Sequence, residues 1–258
     1  MTDRREDLDE DFLIHSVRRA PLLQALNTGP HTASELVDSL DRSRSTVHRA
    51  ITSLEERKLI EKSNGEYRLT RFGETVADET TGFTDRLSTA NSLEPFLNTV
   101  DDTTIPIECF VDAEVTRPQS RLPHASIQRI IELIEQSDTL RLLSTVISPV
   151  YVNVSYREML DGMEIEAIFE PETIEIMLEE YEEKAYETVS TGNFDVLIHN
   201  NIPFELFLFD ERMGMAAHNE DGIAQVFVES DTDAALAWAT DVYETHLAAA
   251  ERLQLHND

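Results

Sequence analysis

The segment between Arg42 and Arg71 concentrates side chains that can bind bases and phosphates. It holds eight Lys and Arg residues against four Asp and Glu residues, a balance of +4 within a chain whose net charge is −30. Arginine donates two parallel hydrogen bonds to guanine or to phosphate, and the hydroxyls of serine and threonine both donate and accept. The side chains predicted to contact DNA are Arg42, Ser43, Arg44, Ser45, Thr46, His48, Arg49, Thr52, Lys62, Asn64 and Arg68.

Two helices are predicted to position these side chains. A short apolar helix spans Ala33 to Leu40 and a polar break follows at Asp41. Ser43 then suits the N-cap of the next helix, because its hydroxyl can accept from the first unpaired amides. In that helix the apolar residues recur at i, i+3, i+4 and i+7, which marks one buried face: Val47, Ala50, Ile51 and Leu54. The polar residues lie on the opposite side.

A β-hairpin is predicted to follow the second helix. Two strand-like stretches, residues 59–62 and 67–70, flank Asn64-Gly65. This pair suits a type I′ turn, in which both central residues need a positive φ. Helix, turn, helix and hairpin predict a winged helix-turn-helix, whose second helix fits the major groove of double-stranded DNA. The alternative is a winged helix that contacts only proteins.

The rest of the chain is strongly acidic and poor in lysine. Its 258 residues are enough for two domains, and its 21 basic residues are 18 Arg and only three Lys. This composition favours an origin in a salt-accumulating halophile, because concentrated salt screens self-repulsion. An ordinary acidic protein is the alternative. Since concentrated salt weakens DNA binding through counterion release, binding would then depend more on base contacts, packing and dimerisation.

The sequence predicts a cytoplasmic protein without a membrane partner. No run of about 18 apolar residues is present. The charged residues 1–12 also lack the apolar region of a signal peptide. The single Cys109 excludes an intramolecular disulfide and a Cys-rich zinc site. Its apolar neighbours predict that it is a buried strand residue.

Residues 1–80 are predicted to form the winged helix-turn-helix domain. Its first wall would begin with a helix capped by Asp11 and break near Ala20. A second helix would run from Pro21 to Leu26, since proline is tolerated in the first turn of a helix. The leucines of this helix, Leu22, Leu23 and Leu26, would face the core.

Residues 81–103 are predicted to form a helical linker or dimerisation segment. Phe83, Leu87 and Ala90 are spaced for one face of a helix, and Pro95 should end or kink that helix near Glu94. The alternative is that this helix packs against its own domain.

Residues 104–258 are predicted to form an α/β sensor and dimerisation domain. Strands are predicted at residues 105–111, 139–146, 163–169, 194–199, 205–209, 213–217 and 224–229. Helices are predicted at residues 125–136, 150–160 and 171–188, and a last helix is capped by Asp231 or Asp233. Strands alternating with helices, followed by consecutive strands, indicate a mixed sheet. The predicted fold class is α+β overall: an N-terminal winged helix-turn-helix plus a C-terminal mixed-sheet α/β domain.

The usual catalytic signatures are missing from the sequence. There is no Gly-x-Ser-x-Gly elbow, no phosphate-binding glycine loop, no dinucleotide fingerprint and no His-Glu-x-x-His. His199 and His218 could meet in space, but two histidines without further ligands do not make a metal site. We therefore expect no enzyme activity, no catalytic residue, no cofactor and no metal. An enzyme of unknown reaction in the second domain is a remaining alternative.

Several motifs resemble known regulators. Residues 42–50, 54–60 and 67–73 (RSRSTVHRA, LEERKLI and YRLTRFG) are similar to the winged-helix domain of archaeal transcription regulators. Residues 143–151, 202–210 and 231–243, with Asp221-Gly222, are similar to the middle domain of the FilR-type methanogenesis regulators, a family common in haloarchaea and loosely akin to the sugar-sensing TrmB regulators. The resemblance covers nearly the whole chain. It implies a homodimeric regulator with a sensor-like second domain, and it identifies no effector.

The effector domain of TrmB regulators is similar to the phospholipase D fold, whose chemistry needs His-x-Lys. None of the eight histidines here is followed two residues later by lysine. A phosphodiesterase of that kind is therefore excluded.

A small-molecule site in the second domain would be expected at the C-terminal ends of the sheet strands. The polar residues predicted to form it are Ser144, Thr145, Ser148, Tyr151, Asp210 and His218. The alternative is that these residues only cap helices and turns.

Together these observations predict a dimeric, sequence-specific DNA-binding transcription regulator. It would read an inverted repeat in promoter DNA through its N-terminal domain, while its second domain pairs protomers and can bind a metabolite. The rival hypotheses are a protein-interaction module that docks through the winged helix, and an enzyme. Target genes, activation or repression, and the effector do not follow from the sequence.

Overall fold

The computed structural model describes residues 10–98, 100, 105–219 and 222–253. The chain divides into two compact units, residues 1–88 and 89–258. The domain boundary predicted at residue 80 lies within helix α4 (Arg71–Ser92), and the one predicted at residue 103 lies outside the described residues, as does Asp221. The predicted domain limits remain predictions.

The first unit is a winged helix-turn-helix. Its elements are α1 (Glu10–Asn27), α2 (Ala33–Leu40), α3 (Arg44–Glu56), β1 (Ile60–Ser63), β2 (Glu66–Leu69) and the first part of α4. The two predicted helices of the helix-turn-helix, the hairpin and its turn are confirmed, with φ at 53° for Asn64 and 90° for Gly65. A single bridge between His31 and Tyr67 adds a third strand position beside the hairpin.

Both helices of the helix-turn-helix begin with side-chain caps. Thr32 and Glu35 form a reciprocal capping box at α2, in which the Thr32 amide donates to Glu35 Oε2 at 2.7 Å. At α3 the Ser43 hydroxyl accepts from the Thr46 amide at 3.3 Å. Asp41 makes the turn between the helices in the left-handed region, at φ 47°. These caps satisfy amides that would otherwise lack partners and fix where α3 starts.

The predicted break near Ala20 is wrong, because α1 continues through Pro21. An interior proline costs a helix roughly 3 kcal/mol through the lost hydrogen bond and the ring clash. Burying a leucine side chain gains about 1.5–3 kcal/mol, and Leu22, Leu23 and Leu26 are all buried as predicted, whereas Pro21 is exposed. The burial of three leucines on one helical face therefore outweighs the cost of the proline.

Glycine is required at position 73, where α4 meets the loop before the hairpin. A Cβ at Gly73 would lie 1.8 Å from the Leu59 carbonyl oxygen, a distance that only a backbone shift could relieve. The Gly73 amide also donates to the Thr70 hydroxyl at 3.0 Å, so this turn anchors α4 to the winged-helix core.

The second unit is built on a mixed sheet in the order β10-β6-β5-β4-β7-β8-β9-β3. Its strands are β3 (Glu114–Thr116), β4 (Thr139–Ser144), β5 (Glu164–Phe169), β6 (Phe194–Ile198), β7 (Glu205–Leu208), β8 (Met213–His218), β9 (Ala224–Ser230) and β10 (Glu251–Arg252). Strands β4, β5 and β6 are parallel, whereas β7 pairs antiparallel with β4 and begins a meander through β8 and β9. The predicted mixed sheet is confirmed.

Helices cover both faces of this sheet. They are α5 (Glu94–Leu97), α6 (Ala125–Glu135), α7 (Pro149–Leu160), α8 (Pro171–Thr191) and α9 (Asp233–Leu247). Apolar residues of α6, α7 and α8 share one buried cluster with the sheet, and those of α5 and α9 share the other. An ion-pair network joins the first layer to the sheet: Arg129 of α6 donates to both carboxylate oxygens of buried Glu229, at 2.6 and 2.9 Å.

The prediction of a strand at residues 105–111 is wrong. Residues Ile107–Phe110 form a 3₁₀ turn, and the strand β3 comes later. Pro106 lacks an amide for a sheet ladder, and Phe110 is buried edge-on against the Trp238 ring, with centroids 5.2 Å apart. Cys109 is accordingly a half-buried turn residue.

Two further details of the second unit differ from the predictions. Thr232, and neither Asp231 nor Asp233, caps α9, because its hydroxyl accepts from the Ala235 amide at 3.3 Å. Asp231 instead pairs with Arg212 at 3.1 Å. Strand β10 was not predicted. No helix in the described part of the chain is long and apolar enough to cross a membrane.

Candidate functional site

The predicted DNA-contact residues occupy one helix, the residues before it and the hairpin. All eleven are exposed except Thr46, which is half-buried. The buried face of α3 is the predicted one, with Val47, Ala50, Ile51 and Leu54 in the core. Burial of that face against α1 and α2 holds the polar face of α3 toward solvent.

Three hydroxyls are brought together at the start of α3. Ser43 Oγ lies 3.1 Å from Ser45 Oγ and 2.8 Å from Thr46 Oγ1. Each of these hydroxyls keeps hydrogen-bonding capacity, because a hydroxyl has one donor and two acceptor positions. The group stands at a helix N-terminus, which is favourable for phosphate.

The arginines in α3 and just before it differ in how far their guanidinium groups are already bonded to other residues. Arg42 and Arg44 are exposed and form no ion pair with another residue that the structure describes. Arg49 makes one long hydrogen bond, from Nε to the Ser45 carbonyl at 3.4 Å. Their guanidinium groups therefore keep most of their donors for a partner.

The two basic side chains of the hairpin are already engaged. Arg68 donates to Glu61 Oε1 from Nε at 2.8 Å and from Nη2 at 2.6 Å across the β1–β2 pair. The Lys62 ammonium lies 5.2 Å from the centre of the Tyr67 ring. Arg68 would have to share or leave Glu61 to meet a phosphate, so its charge is less available than the sequence indicated.

Two arginines that the sequence analysis missed lie beside the start of α3. Arg18 and Arg19 of α1 line the same surface depression as Arg42 and Thr46. Nearby, burial and the charges of Arg57 and Arg19 lower the pKa of His15, whose ring is hydrogen-bonded to Ser53. The consecutive arginines are visible in the sequence, but their spacing does not reveal which face of α1 packs against α3.

In the second unit, five of the six predicted effector residues gather around a residue that was not predicted, Glu205. Its carboxylate accepts from the Thr145 amide at 2.6 Å and from the Thr145 hydroxyl at 2.9 Å, and Ser144 donates to its other oxygen. Ser144, Ser148, Tyr151 and Glu205 line an apolar cavity, and Thr145, Glu205 and His218 line a neighbouring polar cleft. A buried glutamate at a strand start carries no sequence signal that separates it from the many surface glutamates.

Asp210 does not belong to this group. It accepts from the amides of Asp138 and Thr139 at 2.9 Å each and from the Thr139 hydroxyl at 2.6 Å. Because β7 is antiparallel to β4, the end of β7 lies beside the start of β4 and not beside its end. Burial raises the pKa of Asp210, but the hydrogen bonds from Thr139 and Asp138 outweigh it and lower that pKa.

Burial controls the ionisation of the gathered groups. It raises the pKa of Glu205 to about 7, although hydrogen bonds from Ser144 and Thr145 oppose the shift. Burial, with the Glu205 charge, raises the pKa of Tyr151. Burial also lowers the pKa of His218 to about 4, so its ring is neutral at pH 7. The Tyr151 hydroxyl and both ring nitrogens of His218 are buried without a hydrogen-bond partner among the described residues.

The sequence left open whether His199 and His218 meet in space, and the structure separates them: His199 follows β6, His218 ends β8, and three strands lie between these two in the sheet. His199 packs edge-on against His246, with ring centroids 5.0 Å apart. Within the described ranges no group of three or more His, Cys, Asp or Glu side chains is placed to hold a metal ion.

A winged helix whose second helix exposes a polar, arginine-bearing face, in a chain that also has a mixed-sheet α/β unit, is the architecture of winged-helix transcription regulators. Residues 7–92 match the family model of the HVO_A0261 N-terminal domain, and residues 123–249 match that of the middle domain of the methanogenesis regulatory protein FilR1. The second unit therefore carries a domain of the FilR1 middle-domain family, which confirms the resemblance found in the sequence. No curated protein matches the chain.

Solved structures show partial likeness. TrmBL2, described as an archaeal chromatin protein with a novel mode of DNA binding, is 15% identical over 95% of this chain and 97% of that chain, with a TM-score of 0.45. The phospholipase D family member Nuc from Salmonella typhimurium is 7% identical over 56% of this chain and 100% of that chain, with a TM-score of 0.44. ZitR from Lactococcus lactis is 25% identical over 34% of this chain and 61% of that chain, with a TM-score of 0.27.

Proposed function

We propose that the protein is a dimeric, sequence-specific DNA-binding transcription regulator that reads an inverted repeat in promoter DNA. The observation that supports this most directly is the exposed polar face of α3, where Arg44 and Arg49, with Arg42 just before the helix, keep most of their hydrogen-bond donors. A helix of this size fits the major groove, where arginine pairs with guanine through two hydrogen bonds. The +4 balance of residues 42–71 in a −30 chain supports the same interface.

The roles within this interface differ by position. Arg44, Ser45, His48 and Arg49 occupy the N-terminal half of α3 and are assigned to base edges. Thr52 uses its hydroxyl to donate to the His48 carbonyl at 3.1 Å, so it can only accept from a base. Residues assigned to the phosphate backbone are Arg42, Lys62, Asn64 and Arg68, and Arg18 and Arg19 join them.

Dimerisation is proposed to use exposed apolar side chains of the first unit. On α4, Phe83 and Leu87 are four residues apart and 44% and 53% exposed. Residues at this spacing lie on one helical face, and such a stripe gains most by packing against a copy of itself, as two-fold dimers do. A two-fold dimer would present two α3 helices to the two halves of an inverted repeat.

The second unit is proposed to sense a small metabolite near Glu205. A ligand shifts an equilibrium only by its differential affinity for the two states. An effector would therefore act by favouring one arrangement of the two recognition helices in the dimer.

The test is DNA binding by the full chain at matched high salt, using sites selected from random duplexes. Replacing Arg49 with Ala should weaken binding to the selected site by about 1–3 kcal/mol, or roughly 5- to 150-fold, if it contacts a base. Arg121→Ala is the control, since Arg121 is also exposed but lies in the second unit. Lack of any sequence preference in the unaltered protein would refute the proposal.

The same pair of variants can be examined in the native host by chromatin immunoprecipitation. Discrete promoter peaks that disappear with Arg49→Ala and persist with Arg121→Ala would support a regulator and reveal its site. Peaks indifferent to Arg49 would argue against base reading by α3.

A further inference from the structure

We infer that the apolar cavity between α7, α8 and the sheet binds a small, uncharged, largely apolar ligand whose single hydroxyl meets Glu205 and Tyr151. This assigns a ligand class to the sensor role and rests on the function proposed above. The cavity measures about 100 Å³. One water molecule needs about 10–15 Å³, so the space suits a small ring or a branched chain.

The cavity wall excludes a charged ligand. It is formed mainly by apolar side chains of β4, β5, β7, α7 and α8, among them Leu142, Met159, Ile165, Phe169, Met177 and Phe207. Water fills a cavity stably only where it finds two or more polar partners, and most of this wall offers none. An ion would lose its hydration there without compensation.

The polar groups of Glu205 and Tyr151 in the cavity wall favour a ligand that carries a hydroxyl. Above its pKa of about 7, Glu205 is an ionised carboxylate with about four acceptor positions, of which Ser144 and Thr145 fill three. The Tyr151 hydroxyl lines the same cavity and is buried without a partner among the described residues. A ligand hydroxyl can donate to Glu205 while it accepts from Tyr151, whereas a ligand carboxylate would be repelled by Glu205.

The one ammonium group of the wall already has two partners in the protein. Lys184 of α8 donates to the Asn153 side chain, and its Nζ lies 5.1 Å from the centre of the Tyr156 ring. The Asn153 side chain and the Tyr156 ring therefore engage the ammonium at the exposed side of α8, where it does not need a charged ligand as its partner.

The helical geometry of α8 is interrupted at a residue that lines the cavity. Tyr181 leaves helical geometry, with φ −134° and ψ 23°, and lines the cavity together with Lys184 and Ala185 of the following segment. Non-helical residues of this kind act as hinges between rigid segments. A ligand that fills the cavity can thus change the angle between the halves of α8 more easily than it could bend a continuous helix.

The experiment measures thermal unfolding of the full-length protein in concentrated KCl with three probes. Phenol carries the hydroxyl, toluene matches its size without one, and benzoate carries a charge. Phenol at about ten times its Kd should raise Tm by roughly 2–5 °C. Toluene should bind more weakly and benzoate should leave Tm unchanged. No shift with phenol would overturn the inference, and equal shifts with phenol and toluene would refute the hydroxyl contact.

Two variants locate the binding. Ala185→Leu places a larger side chain at a buried wall position and should abolish the phenol shift. Tyr151→Phe keeps the ring and should weaken phenol binding about 3- to 10-fold, as expected for one hydrogen bond, with toluene unaffected. Phenol binding that is unchanged in both variants would place the site elsewhere.

DNA binding by the same preparations separates the two proposals. Sequence-specific binding that requires Arg49, in a protein that ignores phenol, would overturn only the ligand assignment. A phenol response in a protein without sequence preference would overturn the proposed function and leave the ligand site standing.

Discussion

Thr145 holds Glu205 by two hydrogen bonds to the same carboxylate oxygen, from its amide at 2.6 Å and from its hydroxyl at 2.9 Å. The residues come from the end of β4 and the start of β7, which are adjacent because these strands are antiparallel. The glutamate is only 4% exposed. Its retention in an apolar setting is what raises its pKa to about 7.

Stability should therefore depend on pH through Glu205. Its folded pKa of about 7 lies above the ordinary 4.5, so between these values the unfolded chain has released the proton that the folded chain keeps. The stabilisation from this group is full below pH 4.5 and lost as pH rises through 7, a change of about 3 kcal/mol. Urea unfolding across this range should show the decline in the difference in unfolding free energy between the wild type and Glu205→Gln.

His218 changes the stability with pH in the opposite direction to Glu205, so its contribution must be separated from that of Glu205. Its folded pKa of about 4 lies below the ordinary 6.5, so its contribution is present above pH 6.5 and lost as pH falls through 4. The difference between wild type and Glu205→Gln is therefore the quantity to compare, since His218 titrates in both. A difference that does not vary with pH would contradict the raised pKa.

Two glycines of α4 should respond oppositely to alanine. Gly73→Ala would place a Cβ 1.8 Å from the Leu59 carbonyl oxygen, so we expect a loss of about 1–3 kcal/mol or more. At Gly82 the nearest atom is the flexible Arg86 side chain at 3.2 Å, so Gly82→Ala should stabilise by about 0.4–1 kcal/mol. Thermal unfolding of both variants measures the contrast, and equal effects would show that α4 does not press on Leu59.

The exposed stripe on α4 should control dimerisation. Replacing Phe83 and Leu87 together with Asp would place charges in a desolvated contact, so sedimentation should show one chain in place of two. Leu122→Asp is the matched control, because Leu122 is 54% exposed but lies in the second unit. If the double variant is still a dimer and its circular dichroism is unchanged, the dimer contact does not lie on this face of α4.

The sequence predicted those elements whose signals are local. The Ser43 cap, the apolar face of α3 and the Asn64-Gly65 turn each depend on neighbouring residues, and all three agree with the structure. The predicted helix break near Pro21 was wrong because burial of the following leucines outweighed the local preference of proline to interrupt a helix. Long-range pairs such as Arg129–Glu229, one hundred residues apart, depend on sheet order. Because the order and direction of the strands could not be read from the sequence, Glu205 was not predicted as a site residue, and Asp210 was assigned to the wrong end of the sheet.

The acidic composition predicts stabilisation by salt. A net charge of −30 repels itself, and the screening length falls from about 8 Å at 0.15 M salt to about 3 Å at 1 M. Tm should rise by several degrees between about 0.15 M and about 1 M KCl, where roughly 1 kcal/mol corresponds to 2–4 °C for a chain of this size. Differential scanning calorimetry measures this directly. A flat or falling Tm would favour an ordinary acidic protein over a halophilic one.

The arginines of α1 should act on the DNA backbone and not on base identity. Arg18 and Arg19 line the depression shared with Arg42 and Thr46, beside the N-terminus of α3, which is favourable for phosphate. Arg18→Ala should therefore weaken binding to the selected site and to random duplex by similar factors, and should reduce the slope of log affinity against log salt by about 1. Fluorescence anisotropy at several KCl concentrations measures both, with Arg121→Ala as the charge-matched control. A loss confined to the selected site would instead make Arg18 a base contact, and no loss on either DNA would remove α1 from the interface.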